Sequence, residues 1–180
     1  ADQFQVLVAG DGTLGTHPVA PVTVHFTAAF SAYGPIRAGA AGLSYFTLRN
    51  GWDPGARYMP GARGDLPRPR RHREAVGGPV PLRAGPGEGA TCVPALAQDP
   101  DGLAAWRYTL PAGAGLAGPD PAAGRGQYWL VLEGGLLLAK AALPPRSCMF
   151  VPPDEPALAV TAGADGAEVL ALQFPRRAAA

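Results

Sequence analysis

The sequence has few charged residues and almost no lysine, and this excludes several classes of protein. Charged residues make up 16% of the 180-residue chain, the net charge is +1, and Lys140 is the one lysine beside fourteen arginines. A chain so close to neutral lacks the basic patch that nucleic-acid-binding proteins present to phosphates. No apolar run is long enough to span a bilayer. We therefore expect neither nucleic acid nor a membrane as a partner, and we expect a cytoplasmic location.

Cysteine and histidine are also scarce. The two cysteines, Cys92 and Cys148, are too few for a disulfide framework, and their spacing matches no zinc motif. The three histidines, His17, His25 and His72, form no His-x-His pair and no local catalytic signature. We interpret the cysteines as free thiols in a reducing compartment. Each histidine is interpreted as a surface side chain or an isolated hydrogen-bonded one.

Glycine and proline are abundant instead, with 25 and 21 residues, while 47% of the chain is hydrophobic. This combination favours a globular fold with many turns and few helices. Apolar residues alternate with polar ones in short segments about ten residues apart, which is typical of an antiparallel sandwich or barrel. The predicted strands are 22–27, 43–48, 105–110, 127–133, 135–140, 148–151, 157–162 and 168–174. Gly134-Gly135 is predicted to be a hairpin turn, and residues 163–166 a second turn.

The pattern divides the chain into two parts. From 61 to 89, prolines and arginines replace the apolar periodicity, which predicts a long polar loop. Residues 1–90 are accordingly predicted to be a β-rich N-terminal half that ends in this loop. Residues 91–180 are predicted to form a barrel.

Two spacings in the second half match known motifs. The first cupin motif has a glycine, two histidines, a glutamate and a glycine at fixed intervals. The corresponding residues here are Gly115, Pro121, Ala123, Gln127 and Gly134. The second motif has a glycine, a proline, a glycine, a histidine and an asparagine. The corresponding residues here are Arg146, Pro152, Asp154, Ala157 and Thr161. Two glycines and one proline match, so the run from Trp106 to Phe174 resembles a cupin domain without its metal ligands.

The resemblance implies an all-β fold, a cupin-type double-stranded β-helix barrel. The first half is then either a β-rich extension of this barrel or a degenerate second barrel. Gln127 offers one neutral oxygen where cupins have a carboxylate, and alanine, proline and threonine cannot replace imidazole. We therefore expect no metal and no other cofactor, and we interpret Gln127 as a buried amide hydrogen-bonded within the barrel.

Three functions remain open on this basis. The first is a non-catalytic cupin-like protein that binds a small molecule in its barrel. The second is a metal-independent isomerase or lyase that uses polar groups at the barrel mouth. The third is a structural or regulatory homodimer. The candidate ligand-binding residues are Gln127, Trp129, Arg107, Arg57, Tyr58 and Glu155.

A homodimer is expected because the strands near the C-terminus carry apolar residues on both faces. Tyr128, Leu130 and Leu132 alternate with Gln127, and both sides of 168–174 are apolar. A strand that is apolar on both sides must be covered on both sides. Either the N-terminal half or a second subunit can supply the cover.

The loss of every motif histidine generates a first prediction. Protein purified without added metal should contain far less than one transition-metal ion per chain. Elemental analysis after dialysis against a chelator measures this directly. Close to one zinc, iron, nickel or manganese ion per chain would contradict it.

Overall fold

The computed structural model describes residues 1–67, 72–80 and 89–177, and almost all regular structure in them is β-strand. The strands are β1 (Gln3–Leu14), β2 (His17–Val19), β3 (Thr23–Thr27), β4 (Ile36–Arg49), β5 (Glu74–Gly77), β6 (Thr91–Leu96), β7 (Ala104–Leu110), β8 (Gly115–Ala117), β9 (Gln127–Leu138), β10 (Ala141–Leu143), β11 (Cys148–Val151) and β12 (Ala159–Gln173). Two short 3-10 turns span Gly61–Asp65 and Pro121–Ala123. No helix in the described ranges is long and apolar enough to cross a membrane.

The chain folds as two compact units, Ala1–Val80 and Pro81–Ala180. In the first unit, the sheet order is β2-β1-β3-β5, and β4 pairs with the other edge of β1. In the second unit, the order is β10-β9-β12-β7-β6, with β11 added to β9 and β8 to β12. All of these pairings are antiparallel. The predicted division lay at residue 90.

The two units repeat one arrangement of strands at a constant offset in sequence. β1 pairs with β2, β3 and β4 as β9 pairs with β10, β11 and β12. Gln3 opposes Thr27 and Arg49, and its counterpart Gln127 opposes Val151 and Gln173. The first half therefore contains the same core pattern of four paired strands as the second. The degenerate second barrel, one of the two alternatives for the first half, stays a prediction.

Paired glycines allow the long strands of both units to bend without a break. Gly134 has φ +66, and a Cβ there would collide with the carbonyl oxygen of Gly166, which has φ +74. Gly10 and Gly42, with φ +80 and +77, have the same relation in the first unit. Such positive φ values at shifts of register are typical of β-bulges.

The expected turns at Gly134-Gly135 and at 163–166 are therefore wrong as chain reversals. Both segments lie inside continuous strands, β9 and β12, where the register shifts. A local glycine signal does not distinguish a bulge from a turn, because the difference depends on a partner strand distant in sequence.

Part of the segment predicted as a loop is ordered. Within 61–89, the structure contains the 3-10 turn Gly61–Asp65 and the strand β5, which pairs with β3. The remaining prediction falls partly on residues 68–71 and 81–88, which lie outside the described residues. β5 has only four residues, so its own sequence carries little periodicity, and pairing with β3 defines it.

The apolar face that suggested a dimer is largely covered within a single chain. Leu130, Leu170, Leu172 and Phe174 are all 0% exposed. Cover by a second subunit is therefore not required for these residues. The homodimer stays a prediction, without its original reason.

The bulge glycines generate a second prediction. Gly134→Ala should lower the free energy of unfolding by more than about 1 kcal/mol, because alanine is strained at positive φ and its Cβ meets backbone. Gly135→Ala is the matched control, because its Cβ has a nearest neighbour at 3.4 Å, an ordinary contact. Chemical denaturation of both variants measures the difference. Equal stability of the two would contradict a structural role for the bulge.

Candidate functional site

The interior of the second unit is filled with apolar side chains. Trp129 is fully buried, and its ring stacks on Tyr108 with 5.7 Å between centroids and 10° between planes. Val131, Val169 and Ala171 belong to the same buried cluster. A cluster of this composition packs a barrel and leaves its centre without polar groups to orient a ligand.

The polar atoms at the end of this cluster are hydrogen-bonded to one another. Trp129 Nε1 donates to Gln127 Oε1 at 3.1 Å, and Gln127 Nε2 donates to Gln173 Oε1 at 2.9 Å and to the carbonyl of Pro119 at 3.0 Å. Gln173 Nε2 donates in turn to the carbonyl of Gly102 at 2.7 Å. The predicted hydrogen-bonded amide at Gln127 is confirmed. Its role as a ligand contact stays a prediction.

The other predicted ligand-binding residues occupy separate environments. Arg107 is buried, with Nε 3.8 Å from Glu168 Oε2. Arg57 pairs with Asp65 at 2.7 Å on the surface of the first unit, and Tyr58 beside it is exposed. Glu155 is exposed in the turn that follows β11. Within the second unit, Arg107 is thus buried whereas Glu155 faces solvent.

The motif positions of the second unit do not fit a metal. Pro121 and Ala123 lie in the 3-10 turn, and Gln127 is committed to the amide network. Ala157 precedes β12, and Thr161 lies within it. None of these side chains supplies imidazole or carboxylate, the ligands that cupin-type metals require.

A shallow cleft of about 340 Å³ lies on the surface of the second unit. Its lining consists of Gln98, Asp99, Pro100, Gly102, Ala123 and Arg176. The Arg176 guanidinium donates to the carbonyls of Ala123 and Pro100, at 3.1 and 2.7 Å. These bonds anchor the chain after β12, so we assign Arg176 a structural role.

The equivalent interior face of the first unit is polar, whereas that of the second unit is apolar. Two neighbouring rows of residues cross its sheet from β4 through β1 and β3 to β5. They are Arg49, Gln3, Thr27 and Glu74 in one row and Thr47, Gln5, His25 and Val76 in the next. Where the second unit has Trp129, Met149 and Val151, the first unit has Gln5, His25 and Thr27. These three residues are nevertheless buried.

A chain of hydrogen bonds orders this face from β4 to β3. Arg49 Nε donates to Gln3 Oε1 at 3.2 Å, and Gln3 Nε2 donates to the Tyr33 hydroxyl at 2.7 Å. Gln5 Nε2 donates to the same hydroxyl at 3.3 Å, and Gln5 Oε1 lies 2.8 Å from His25 Nδ1. The Tyr33 ring also packs against the His25 ring, with 5.1 Å between centroids. The imidazole of His25 is therefore held in one orientation.

The chain of bonds stops at His25 and Thr27. His25 Nε2 and Thr27 Oγ1 are buried and have no hydrogen-bond partner among the described residues. Glu74 Oε2 lies 3.8 Å from His25 Nε2 and 4.0 Å from His72 Nε2, beyond hydrogen-bond length. Burial lowers the pKa of His25 below 6.5. Glu74 opposes this shift, and the nearby His17 adds to it.

This arrangement is not a metal site as it stands. The described residues contain no group of three or more His, Cys, Asp or Glu side chains that could hold a metal ion. His25 and His72 both approach Glu74, but Thr27 occupies the next inward position of β3. The chemistry available is that of a buried imidazole with one free nitrogen beside a carboxylate.

The sequence signal for this site was present but weak. His25 and Thr27 were recognised as the polar positions of an alternating strand, which normally face solvent. β1 carries Gln3 and Gln5 at the same alternation, but it was not predicted as a strand. Only the pairing of β1, β3 and β5 places these residues on a common buried face.

Comparison by sequence identifies no relative. No protein-family model matches the chain, and none of the curated proteins matches it.

Comparison by structure finds proteins of known fold. A "putative dioxygenase" from Nostoc punctiforme PCC 73102 is similar over 99% of this chain, with a TM-score of 0.64 and 15% identity. The bacterial pirin YhhW from Escherichia coli, in complex with nickel(II), is similar over 98%, with a TM-score of 0.53 and 14% identity. A variant of salicylate 1,2-dioxygenase from Pseudoaminobacter salicylatoxidans is similar over 94%, with a TM-score of 0.50 and 12% identity.

This chain spans 64% and 63% of the length of the two dioxygenase chains and 73% of the pirin. At such low identities, the likeness concerns the fold alone. The similar structures are cupin-fold proteins, and both units of this chain repeat one antiparallel strand arrangement. The chain therefore has the all-β cupin fold that its second half resembles in sequence.

Proposed function

We propose that the chain is a non-catalytic cupin-fold protein that binds a small polar molecule in the interior of its first unit. The observation that carries this proposal is the buried face of Gln3, Gln5, His25 and Thr27, on which two polar atoms have no partner within the described residues. Leaving such an atom unsatisfied costs about 1–3 kcal/mol. A face with a purely structural role gains nothing from this cost.

The second unit is an internal comparison for this argument. Its equivalent positions hold Trp129, Met149 and Val151, and the Gln127 network beside them satisfies its own donors and acceptors. At these equivalent positions, the same strand arrangement is therefore packed without unpaired polar groups. Retention of such groups in the first unit favours a role in recognition.

The site lies beside exposed side chains. The Glu74 side chain is 35% exposed and that of His72 is 59% exposed, whereas His25 between the strands is fully buried. A ligand that reaches Nε2 of His25 therefore has to displace the Glu74 and His72 side chains, because Nε2 itself has no exposed surface. This combination of an exposed rim and a buried polar floor is typical of small-molecule sites.

An acid–base enzyme is the second candidate. A buried imidazole that is oriented through Nδ1 and has an accepting Nε2 also suits a general base, which the isomerase or lyase alternative requires. The two candidates differ in what happens to the bound molecule. Mass spectrometry after prolonged incubation distinguishes them. The ligand is unchanged if the protein only binds it, and it is converted to a product if the protein is an enzyme.

A substitution that copies the second unit tests the binding function. His25→Met with Thr27→Val introduces the residues found at 149 and 151. Two unsatisfied groups are removed while Gln5 Oε1 loses its Nδ1 donor, so we expect the free energy of unfolding to change by less than about 3 kcal/mol. Thermal shift assays with amines, alcohols, sugars, carboxylates and phenols should show at least one class that stabilises the unmodified protein and leaves the variant unaffected.

Val151→Thr is the matched control, since it places an unpaired hydroxyl in the packed unit. It should destabilise by about 1–3 kcal/mol and leave ligand stabilisation intact. Stabilisation of the double variant by the same compound would contradict the proposed site. A loss of more than about 3 kcal/mol in the double variant would show that the polar face is structural.

The pH dependence of stability provides a further prediction. Because the pKa of folded His25 is below 6.5, the unfolded chain takes up the proton first as pH falls. The contribution of His25 to the free energy of unfolding should therefore be fully present above pH 6.5. Below pH 6.5 it should decrease by up to about 1.4 kcal/mol per pH unit, until the pH reaches the pKa of His25 in the folded protein. His25→Met should lose this component, whereas Met149→Leu should keep it. Parallel curves for the unmodified protein and His25→Met, measured by denaturation from pH 7.5 to 5, would contradict a buried neutral His25.

A further inference from the structure

Three hydrogen-bond acceptors, on His25, Thr27 and Glu74, converge at the rim of the polar face. Glu74 Oε2 lies 3.8 Å from His25 Nε2 and 4.0 Å from His72 Nε2. Thr27 lies directly opposite Glu74 in the β3–β5 pair, and its hydroxyl is also without a partner among the described residues. The distances are too long for direct hydrogen bonds and suit a shared donor that bonds to both acceptors from one side.

The hydrogen-bond network determines which nitrogen of His25 carries the proton. The Gln5 amide is oriented with Nε2 toward the Tyr33 hydroxyl, and in this orientation Oε1 faces His25 and accepts. Nδ1 of His25 is therefore the protonated nitrogen, and Nε2 presents a lone pair. A lone pair and a carboxylate that face each other in a buried site repel unless a donor lies between them.

The arginines placed on this part of the first unit have other partners. The guanidinium of Arg73 lies over the ring of Phe26, 5.6 Å from its centroid, and Phe26 belongs to the opposite face of β3. Arg49 donates to Gln3 and approaches Asp53 at 4.0 Å.

We propose that the ligand of the first unit presents a primary ammonium group to His25, Glu74 and Thr27. This inference rests on the proposed binding function and specifies its chemical class. An ammonium group has three N–H donors for the three acceptors, and its charge complements the Glu74 carboxylate. A hydroxyl group offers only one donor. An anionic group is repelled by Glu74.

Calorimetric titration with n-butylamine and 1-butanol tests the class directly. The two compounds have nearly the same shape and differ in charge and in number of donors. We expect n-butylamine to bind at least about tenfold more tightly than 1-butanol, the equivalent of one charge-assisted hydrogen bond. Tetramethylammonium, which has the charge and no N–H, should bind as weakly as the alcohol.

Variants locate the binding site. Glu74→Gln should weaken n-butylamine binding by about tenfold or more, since it removes the charge and keeps the shape. Asp65→Asn is the control, because Asp65 pairs with Arg57 on the surface, and it should bind as the unmodified protein does. Circular dichroism confirms that each variant is folded. If Glu74→Gln does not fold, Thr27→Val replaces it, with a smaller loss of affinity expected.

The contrary outcomes separate this inference from the proposed function. Equal binding of n-butylamine and 1-butanol, or unchanged binding in the folded Glu74 or Thr27 variant, overturns the ammonium assignment. Tighter binding of Zn²⁺ than of any amine also overturns it, because the acceptors would then be metal ligands. A neutral or anionic compound that binds only when His25 is present overturns the ammonium class and leaves the binding function standing. Failure of every compound class overturns both.

Discussion

A buried polar atom needs a hydrogen-bond partner, and the two units of this protein differ in whether that requirement is met. In the second unit, Trp129, Gln127 and Gln173 satisfy one another and the neighbouring carbonyls. In the first unit, the corresponding chain of bonds ends at His25 Nε2, beside a carboxylate that accepts and cannot donate when ionised. This difference at equivalent positions is the basis of the recognition role that we propose for the first unit.

The two interiors can differ because the glycines that shape the strands are separate from the residues that point inward. The paired bulges Gly10–Gly42 and Gly134–Gly166 maintain the bend of the long strands in both units, and the registers around them correspond. Inward side chains can then change from Trp129 to Gln5 without a change of strand pairing.

The fold class could be predicted from sequence because alternation and turn chemistry are local. The segments around β3, β7 and β11 were located closely, and the motif spacing around Gly115 and Gly134 led to the cupin resemblance. The bulge at Gly134 was mistaken for a turn, because strands and bulges differ in pairing that is distant in sequence. The site was missed for the same reason: His25 and Glu74 become neighbours only through the β3–β5 pair.

The protonation of His25 tests this account most directly, since every functional argument uses its free nitrogen. Long-range ¹H–¹⁵N correlation at pH 7 distinguishes the two neutral tautomers of each histidine from the imidazolium, and a His25→Met spectrum identifies the signal. The account predicts a neutral His25 with its proton on Nδ1 and an unprotonated Nε2. A proton on Nε2, in either the other tautomer or the imidazolium, would contradict it, because the face would then be satisfied by Glu74 and would have no vacant acceptor for a ligand.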